Sequence, residues 1–334
     1  MPIKTEKFNN LIDGINLDSP PLFRPILMHF AARYNGKTYG EFASDHRVLV
    51  DCNLRALEDF DMDMVGLISD PYRETSAFGA RVSFPAEAVP VCENILIHNY
   101  EDVKNLVNPD VYKHERTLDR IRGAELFQKE LKGSVPIIGW IEGPLAEACD
   151  LSGVSEMIMN LMTDPDLSNL LLDKCVVTAK DFAKAQIEAG ADIIGIGDAI
   201  CSQIDPAMYD EYVLERHREI IDYIHEKGGK VKLHICGNIT HLLPSISKLD
   251  VDILDLDWQV DMDYAYKVIG EDVIRCGNIN PIEIQDLSEE QLSEKVKDLV
   301  SREKGRRFIL SGGCEITVLT PPENLKILSQ SRFH

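Results

Sequence analysis

Ala191-Asp-Ile-Ile-Gly-Ile196, the helix-patterned run that opens at Asp205-Pro206, and Lys230-Val-Lys-Leu-His-Ile235 read in order as strand, helix and strand. An acidic residue followed by proline starts a helix, and Tyr209, Tyr212, Val213, Ile220 and Ile224 recur at helical spacing to give it one apolar face. Gly228-Gly229 ends it just before the next apolar run. Two short apolar runs joined through such a helix predict a pair of parallel strands.

The same alternation extends in both directions. The other runs are Pro25–Phe30, Met64–Ser69, Val135–Ile141, Val251–Leu256, Asp272–Cys276 and Arg307–Leu310, which makes eight candidate strands. Eight parallel strands close a (β/α)8 TIM barrel, so the fold class is α/β. The stretch from about 71 to 134 exceeds an ordinary connection. It holds a predicted hairpin, Ala80–Phe84 with Ala88–Val91, then a polar helix, and reads as a cap over the barrel mouth inserted after strand two. No repeat, low-complexity tract or linker divides residues 1–334, which read as a single domain.

Composition removes several function classes. A formal net charge of −21 repels a polyanion, so nucleic acid is not an expected partner. No apolar run approaches the roughly 20 residues of a membrane span, and the first residues lack the apolar core of a signal peptide. The sequence reads as a cytoplasmic protein with no membrane partner. Eight scattered cysteines lack the density of a disulfide framework and suit reduced thiols or metal ligands.

Active sites of such barrels lie at the carboxyl ends of the strands, so the residues that follow each run are the candidates. The fifth run continues as His234-Ile-Cys236-Gly-Asn238, and the eighth as Gly312-Gly-Cys314-Glu315. Residues two apart in an extended segment share a face, so His234 and Cys236 converge, and barrel closure brings Cys314 to the same mouth. One imidazole and two thiolates form a tripod for Zn2+ with a position left open. Asp198 and Glu142 are the candidate catalytic groups at other strand ends, with Glu147 beside them, and Asp257 and Asn278 the candidate substrate contacts. Asp255, Asn280, Cys201 and Ser202 lie at the same level, whereas Cys276 reads as buried and His29, His217 and His241 lack a ligand at suitable spacing. Glu315 adjoins Cys314, but neighbours in an extended segment point apart.

Three segments carry a family resemblance: Ala31-Ala-Arg-Tyr34, Cys276-Gly-Asn-Ile-Asn-Pro281, and Gly313-Cys-Glu-Ile316 followed by Leu319-Thr-Pro-Pro-Glu-Asn324. With them the chain resembles the uroporphyrinogen decarboxylase superfamily, and within it the zinc-dependent corrinoid (cobalamin) methyltransferase branch, which includes methylcobamide:coenzyme M methyltransferases and O-demethylase methyltransferases. The resemblance implies that His234, Cys236 and Cys314 are zinc ligands and that Asp70 matches the aspartate that meets pyrrole nitrogens in decarboxylases. It departs from the decarboxylase pattern at three places: His29 stands where the first arginine of the opening motif is expected, leaving Arg33; Asp150 replaces a tyrosine; Cys314 replaces a histidine.

The implied activity is methyl transfer between a corrinoid on a separate corrinoid protein and a small-molecule partner, either a thiol acceptor such as coenzyme M or a methoxylated or methylated donor. The alternatives are a uroporphyrinogen decarboxylase-type carboxy-lyase and a non-catalytic corrinoid- or zinc-binding module. The resemblance is also compatible with a homo-oligomer.

Overall fold

The computed structural model describes residues 3–333. Among them run ten strands: β1 (Leu22–Phe23), β2 (Val65–Gly66), β3 (Val82–Ser83), β4 (Val91–Cys92), β5 (Ile137–Glu142), β6 (Ile193–Gly197), β7 (Lys230–His234), β8 (Ile253–Leu256), β9 (Ile274–Ile279) and β10 (Phe308–Gly312). Eight form one parallel sheet in the order β1-β10-β9-β8-β7-β6-β5-β2, curled as in a TIM barrel. Between β1 and β2 the seam is bridged by Asp63, whose N–H donates to the Phe23 carbonyl at 2.8 Å and whose carboxylate accepts from the Phe23 N–H at 2.8 Å.

The barrel interior is a separate apolar cluster that includes Leu22, Met64, Ile138, Trp140, Ile193, Ile253, Ile274, Cys276 and Ile309. Phe8 and Leu11 of the first helix, Lys4–Ile12, belong to it and close the amino-terminal end. The larger core lies between the sheet and the surrounding helices. Helix Pro206–Met208, a π turn over Tyr209–Val213 and helix Leu214–Glu226 form the β6–β7 crossover, ending before Gly228 as its sequence predicts.

Two expectations need correction. The first strand lies earlier than Pro25–Phe30: β1 ends at Phe23, only Ile26 bridges onward to Glu315, and His29–Tyr34 is helical. Pro25 has no N–H to extend a ladder, and one apolar run serves both the strand end and the helix start. The polar helix, Glu115–Leu131, packs on helix His46–Asp59 and on β5, so it belongs to the outer ring of the barrel. The cap is the preceding part. Its antiparallel β3–β4 hairpin has Ala86 O accepting from Tyr39 N–H at 2.7 Å, and Leu96 and Ile97 donate to Leu151 O. It thereby joins helices that follow β1 and β5 on the carboxyl side of the sheet.

No helix among the described residues is long and apolar enough to cross a membrane.

Candidate metal centre

Parallel register sets a layer of side chains at the barrel mouth. Glu142 pairs with Gly197, Gly197 with His234, His234 with Asp255, and Asp255 with Cys276. Beyond the end of β7 the chain continues through Cys236, and beyond β10 it reaches Cys314. His234 Nε2 lies 2.9 Å from Cys236 Sγ, and the two sulfurs are 3.4 Å apart. Their ligand atoms all lie within 4.8 Å of one another. A tetrahedral zinc bound by one nitrogen and two sulfurs needs donors separated by about 3.5–3.8 Å. The three side chains therefore fit that ion after small adjustments.

Electrostatics favour a thiolate at this point. The hydrogen bond from Cys236, followed by the His234 ring, pulls the Cys314 thiol down to about 4, while the same sulfur pair pushes Cys236 up. His234 is held up to about 9: burial opposes its charge, and the Asp255 and Cys314 hydrogen bonds overcome it. Without a metal, one proton set is shared among three ligands. A bound cation would replace those protons, since it requires deprotonated ligands.

Behind the tripod stands a fixed support. Asp255 accepts from His234 Nδ1 at 2.8 Å, which turns Nε2 toward the sulfurs. Buried Lys232, two residues before His234 on the same strand face, contacts the same carboxylate oxygen. Burial raises the Asp255 pKa, but Lys232 and His234 more than reverse this and keep the carboxylate ionised. Asp257 accepts from the Gly237 N–H at 2.7 Å and the Trp258 N–H at 2.6 Å, so it holds the Cys236 loop. Asn278 donates to Val260 O at 2.8 Å and fastens the loop after β8. Gly313 brings the Cys314 loop against that turn; a Cβ there would lie 2.4 Å from Trp258 N.

On the other side of His234 the mouth is acidic. Gly195 and Gly197 leave room for the Trp140 indole, which a Cβ at either would approach to 2.2 or 3.0 Å, and the indole lies 5.8 Å from the His234 ring, centroid to centroid. Above Trp140 on β5, Glu142 meets Arg73 at 2.7 Å. Glu74, Glu147 and Asp150 lie in the same electrostatic neighbourhood. Burial, then mutual repulsion, raises Glu147 well above the usual carboxylate range; Glu142 is also raised, with Arg73 opposing.

Asp150, partly exposed, is pushed up to about 8 by burial and then by Glu74, with Asp70 and Asp198 adding to the rise and Arg73 opposing it. A carboxyl that binds its proton more tightly when folded lends stability that is complete below about pH 4 and lost as pH rises through about 8. Relative to Asp150→Asn, the wild type should therefore lose on the order of 2 kcal/mol between pH 6 and 9. Thermal melts across that range check this; parallel curves for the two proteins would refute it.

The remaining site candidates have structural partners. Asp198 is fully buried, and its carboxylate accepts from Leu145 and Ala146 N–H, at 3.2 and 2.8 Å, and meets His217 Nε2 at 3.0 Å. It anchors the start of helix Pro144–Ser152, which carries Glu147 and Asp150. His217, on helix Leu214–Glu226, does have neighbours at ligand distance, Asp198 and Cys201 of the loop after β6, a juxtaposition that sequence spacing does not show. Asp70 is paired with Arg116 and accepts from Ser69 and Tyr72. Glu315 accepts from the His29 N–H at 3.0 Å, at the start of helix His29–Tyr34, and is not part of the tripod group. Asn280 accepts from Ile282 N–H, Ser202 donates to Ala199 O, and Cys276 is buried as expected. A cavity of about 530 Å3 lined by Lys7, Asp63 and Arg306 lies at the opposite end of the barrel and has no part in this centre.

Sequence reasoning passed over Lys232, Arg73, Glu74 and Trp140. A lysine inside the apolar run Lys230–Ile235, in phase with His234, was the available signal for the first.

Comparison with known proteins places the chain. The family model described as uroporphyrinogen decarboxylase (URO-D) matches residues 4–332. The uroporphyrinogen decarboxylase of Prochlorococcus marinus is 26% identical over 330 residues, covering 93% of this chain and 92% of that protein. That of Carboxydothermus hydrogenoformans is 27% identical over 320 residues, covering 90% and 89%. A methyltransferase structure from Methanosarcina mazei superposes with a TM-score of 0.90 at 20% identity, covering 99% of this chain and 98% of that one, a likeness of fold. Sequence and architecture agree over nearly the full length: the chain belongs to the uroporphyrinogen decarboxylase family.

Proposed function

We propose that this chain is a zinc-dependent methyltransferase that moves a methyl group between a corrinoid carried by a partner protein and a thiol or a methoxylated or methylated small molecule. The observation that carries the reading is the convergence of His234 Nε2, Cys236 Sγ and Cys314 Sγ at the barrel mouth, with Asp255 aligned behind the imidazole. Zinc held there supplies a Lewis acid that keeps a sulfur as thiolate or polarises a leaving heteroatom. Two thiolate ligands make the site formally neutral, which suits sulfur alkyl chemistry.

The chain's own residues do the rest. Cys236, Cys314 and His234 bind the metal, and Asp255 with Lys232 sets the direction of the imidazole. Glu142, on the same layer and with its affinity for a proton raised by burial, supplies a proton to a departing oxygen or, when ionised, takes one from an incoming thiol. Asp198 acts by positioning helix Pro144–Ser152. Asp257 and Asn278 shape the pocket wall through the loops they fasten, and Asp70 sets its far side through Arg116. Placement of the two methyl partners in line across the mouth contributes most of the rate.

Decarboxylation of a porphyrinogen is the reading that the names of the sequence relatives favour. A substrate bearing many carboxylates would meet Glu142 and Asp150 at this mouth, with Arg73 fully buried and committed to Glu142.

The test is a pair of assays on the purified zinc-loaded protein: loss of the methyl–cobalt absorbance of methylcobalamin on addition of a thiol or, with reduced corrinoid, its gain from methoxylated compounds, beside carbon dioxide release from uroporphyrinogen. Methyl transfer that disappears in Cys314→Ala supports the proposal. Decarboxylation without methyl transfer, or metal loss in Cys236→Ser with methyl transfer intact, would overturn it.

Asp255→Asn should keep the fold yet weaken zinc binding about 10–100-fold, because the imidazole loses its orienting carboxylate. Competition with a chromophoric chelator measures this, and unchanged affinity would remove Asp255 from the site.

A further inference from the structure

The carboxyl groups beside the metal centre outnumber the cations available to them. Arg116 is committed to Asp70 and Arg120 to Asp119, which leaves Arg73 for Glu74, Glu142, Glu147 and Asp150. Arg73 is fully buried and offers no surface to a ligand. Glu147, 2% exposed, has one carboxylate oxygen bonded to the Thr75 hydroxyl at 3.2 Å and the other without a partner. Glu74, 1% exposed, likewise has one oxygen with no hydrogen-bond partner, although the Arg73 guanidinium lies 3.6 Å from it. Asp150 makes no hydrogen bond or ion pair among the described residues and is the member of the group that faces solvent most. Buried carboxylates left this way destabilise the fold unless they are protonated or matched by a cation.

The register fixes where this group lies relative to the tripod. Glu142 and His234 occupy one layer with only Gly197 between them, so their backbones are two strand spacings, about 10 Å, apart. Gly197 puts no side chain of its own between them; the Trp140 indole lies there, 3.0 Å from where a Cβ would stand, as the floor between the two. Asp150 sits two turns along the helix that begins just after Glu142. A small molecule with one atom at the metal therefore has its other end next to carboxyl groups, with no unpaired cation beside them among the described residues.

We propose that the substrate of this centre carries a positive charge, as a quaternary or protonated amine, at the end remote from the transferred methyl or the reacting sulfur, and that Glu142 and Asp150 select it against anionic analogues. This rests on the methyl-transfer reading for the identity of the reacting atom, though the charge preference itself follows from the carboxyl group. A cation there restores balance to the cluster, whereas a sulfonate or carboxylate adds repulsion in a poorly solvated site. Within the proposed class of thiol partners, one bearing a sulfonate is thereby disfavoured.

The experiment compares two thiols of equal reach, thiocholine and 2-mercaptoethanesulfonate, by calorimetric titration into the zinc-loaded protein, with zinc measured on the same samples. Thiocholine should bind at least tenfold more tightly, and Asp150→Asn with Glu142→Gln should remove most of that preference while zinc content stays unchanged. Choline, which has no thiol, should bind weakly to wild type with or without zinc and not to the double variant. Equal binding of the two thiols, tighter binding of the sulfonate, a preference untouched by the double variant, or no binding of either cation would overturn the inference. A protein that holds no zinc but still binds choline through Glu142 and Asp150 would sink the metal reading and leave the charge preference standing.

Discussion

Cys236→Ala, Cys314→Ala and His234→Ala should each lower zinc from about one ion per chain to near zero after dialysis against a weak chelator, and methyl transfer should vanish with it. Each removes one of three converging donors. Loss of an outer residue such as Asp255 is expected to cost 10–100-fold in affinity, so loss of a direct ligand should exceed that. The fold should survive: Cys236 and Cys314 lie at the solvent-facing rim, beyond the apolar layers built on Ile138, Ile193 and Ile253. Elemental analysis beside circular dichroism separates metal loss from unfolding. Zinc retained at wild-type level by any one of the three folded variants would show that the ion is held elsewhere.

Arg73→Met should destabilise the folded chain by about 3–5 kcal/mol at pH 7, because Arg73 is the buried cation for Glu74 and Glu142. The sign of its pH dependence follows from the raised carboxyls. Toward pH 5 Glu142 and its neighbours take up protons, fewer charges are left unpaired, and the loss should shrink. Adding Glu142→Gln should restore part of the stability, since the second change removes the charge that the first left without a partner. Urea unfolding of the wild type and both variants at pH 5 and 7 measures this. A loss below about 1 kcal/mol at pH 7 would mean that water reaches the cluster and screens it.

What the sequence made legible depends on the range of the interactions involved. The alternation of short apolar runs with helical segments is local, and it marked the parallel sheet, the Asp205–Glu226 crossover and its glycine end. The same local logic failed at Pro25–Phe30, where a proline and a helix start share one apolar run. His234 and Cys236 were legible as a pair because a strand puts alternate residues on one face, and their strand-end position pointed to Cys314. Asp198 was legible as a strand-end carboxylate, but its occupation by two helix N–H groups and His217 was not.

What the sequence by itself determined is the set of groups that follow from period and position: the (β/α)8 plan, the three candidate ligands and the family pattern. Only the tertiary structure decided how those groups are charged and aimed. Lys232, Asp255 and His234 become one support because neighbouring strands pair in a particular register. Arg73, Glu74, Glu142, Glu147 and Asp150 become one cluster because a turn after β2 packs on the helix after β5. Burial and distance set these interactions, and both depend on contacts between residues far apart in the chain, which period and composition do not encode.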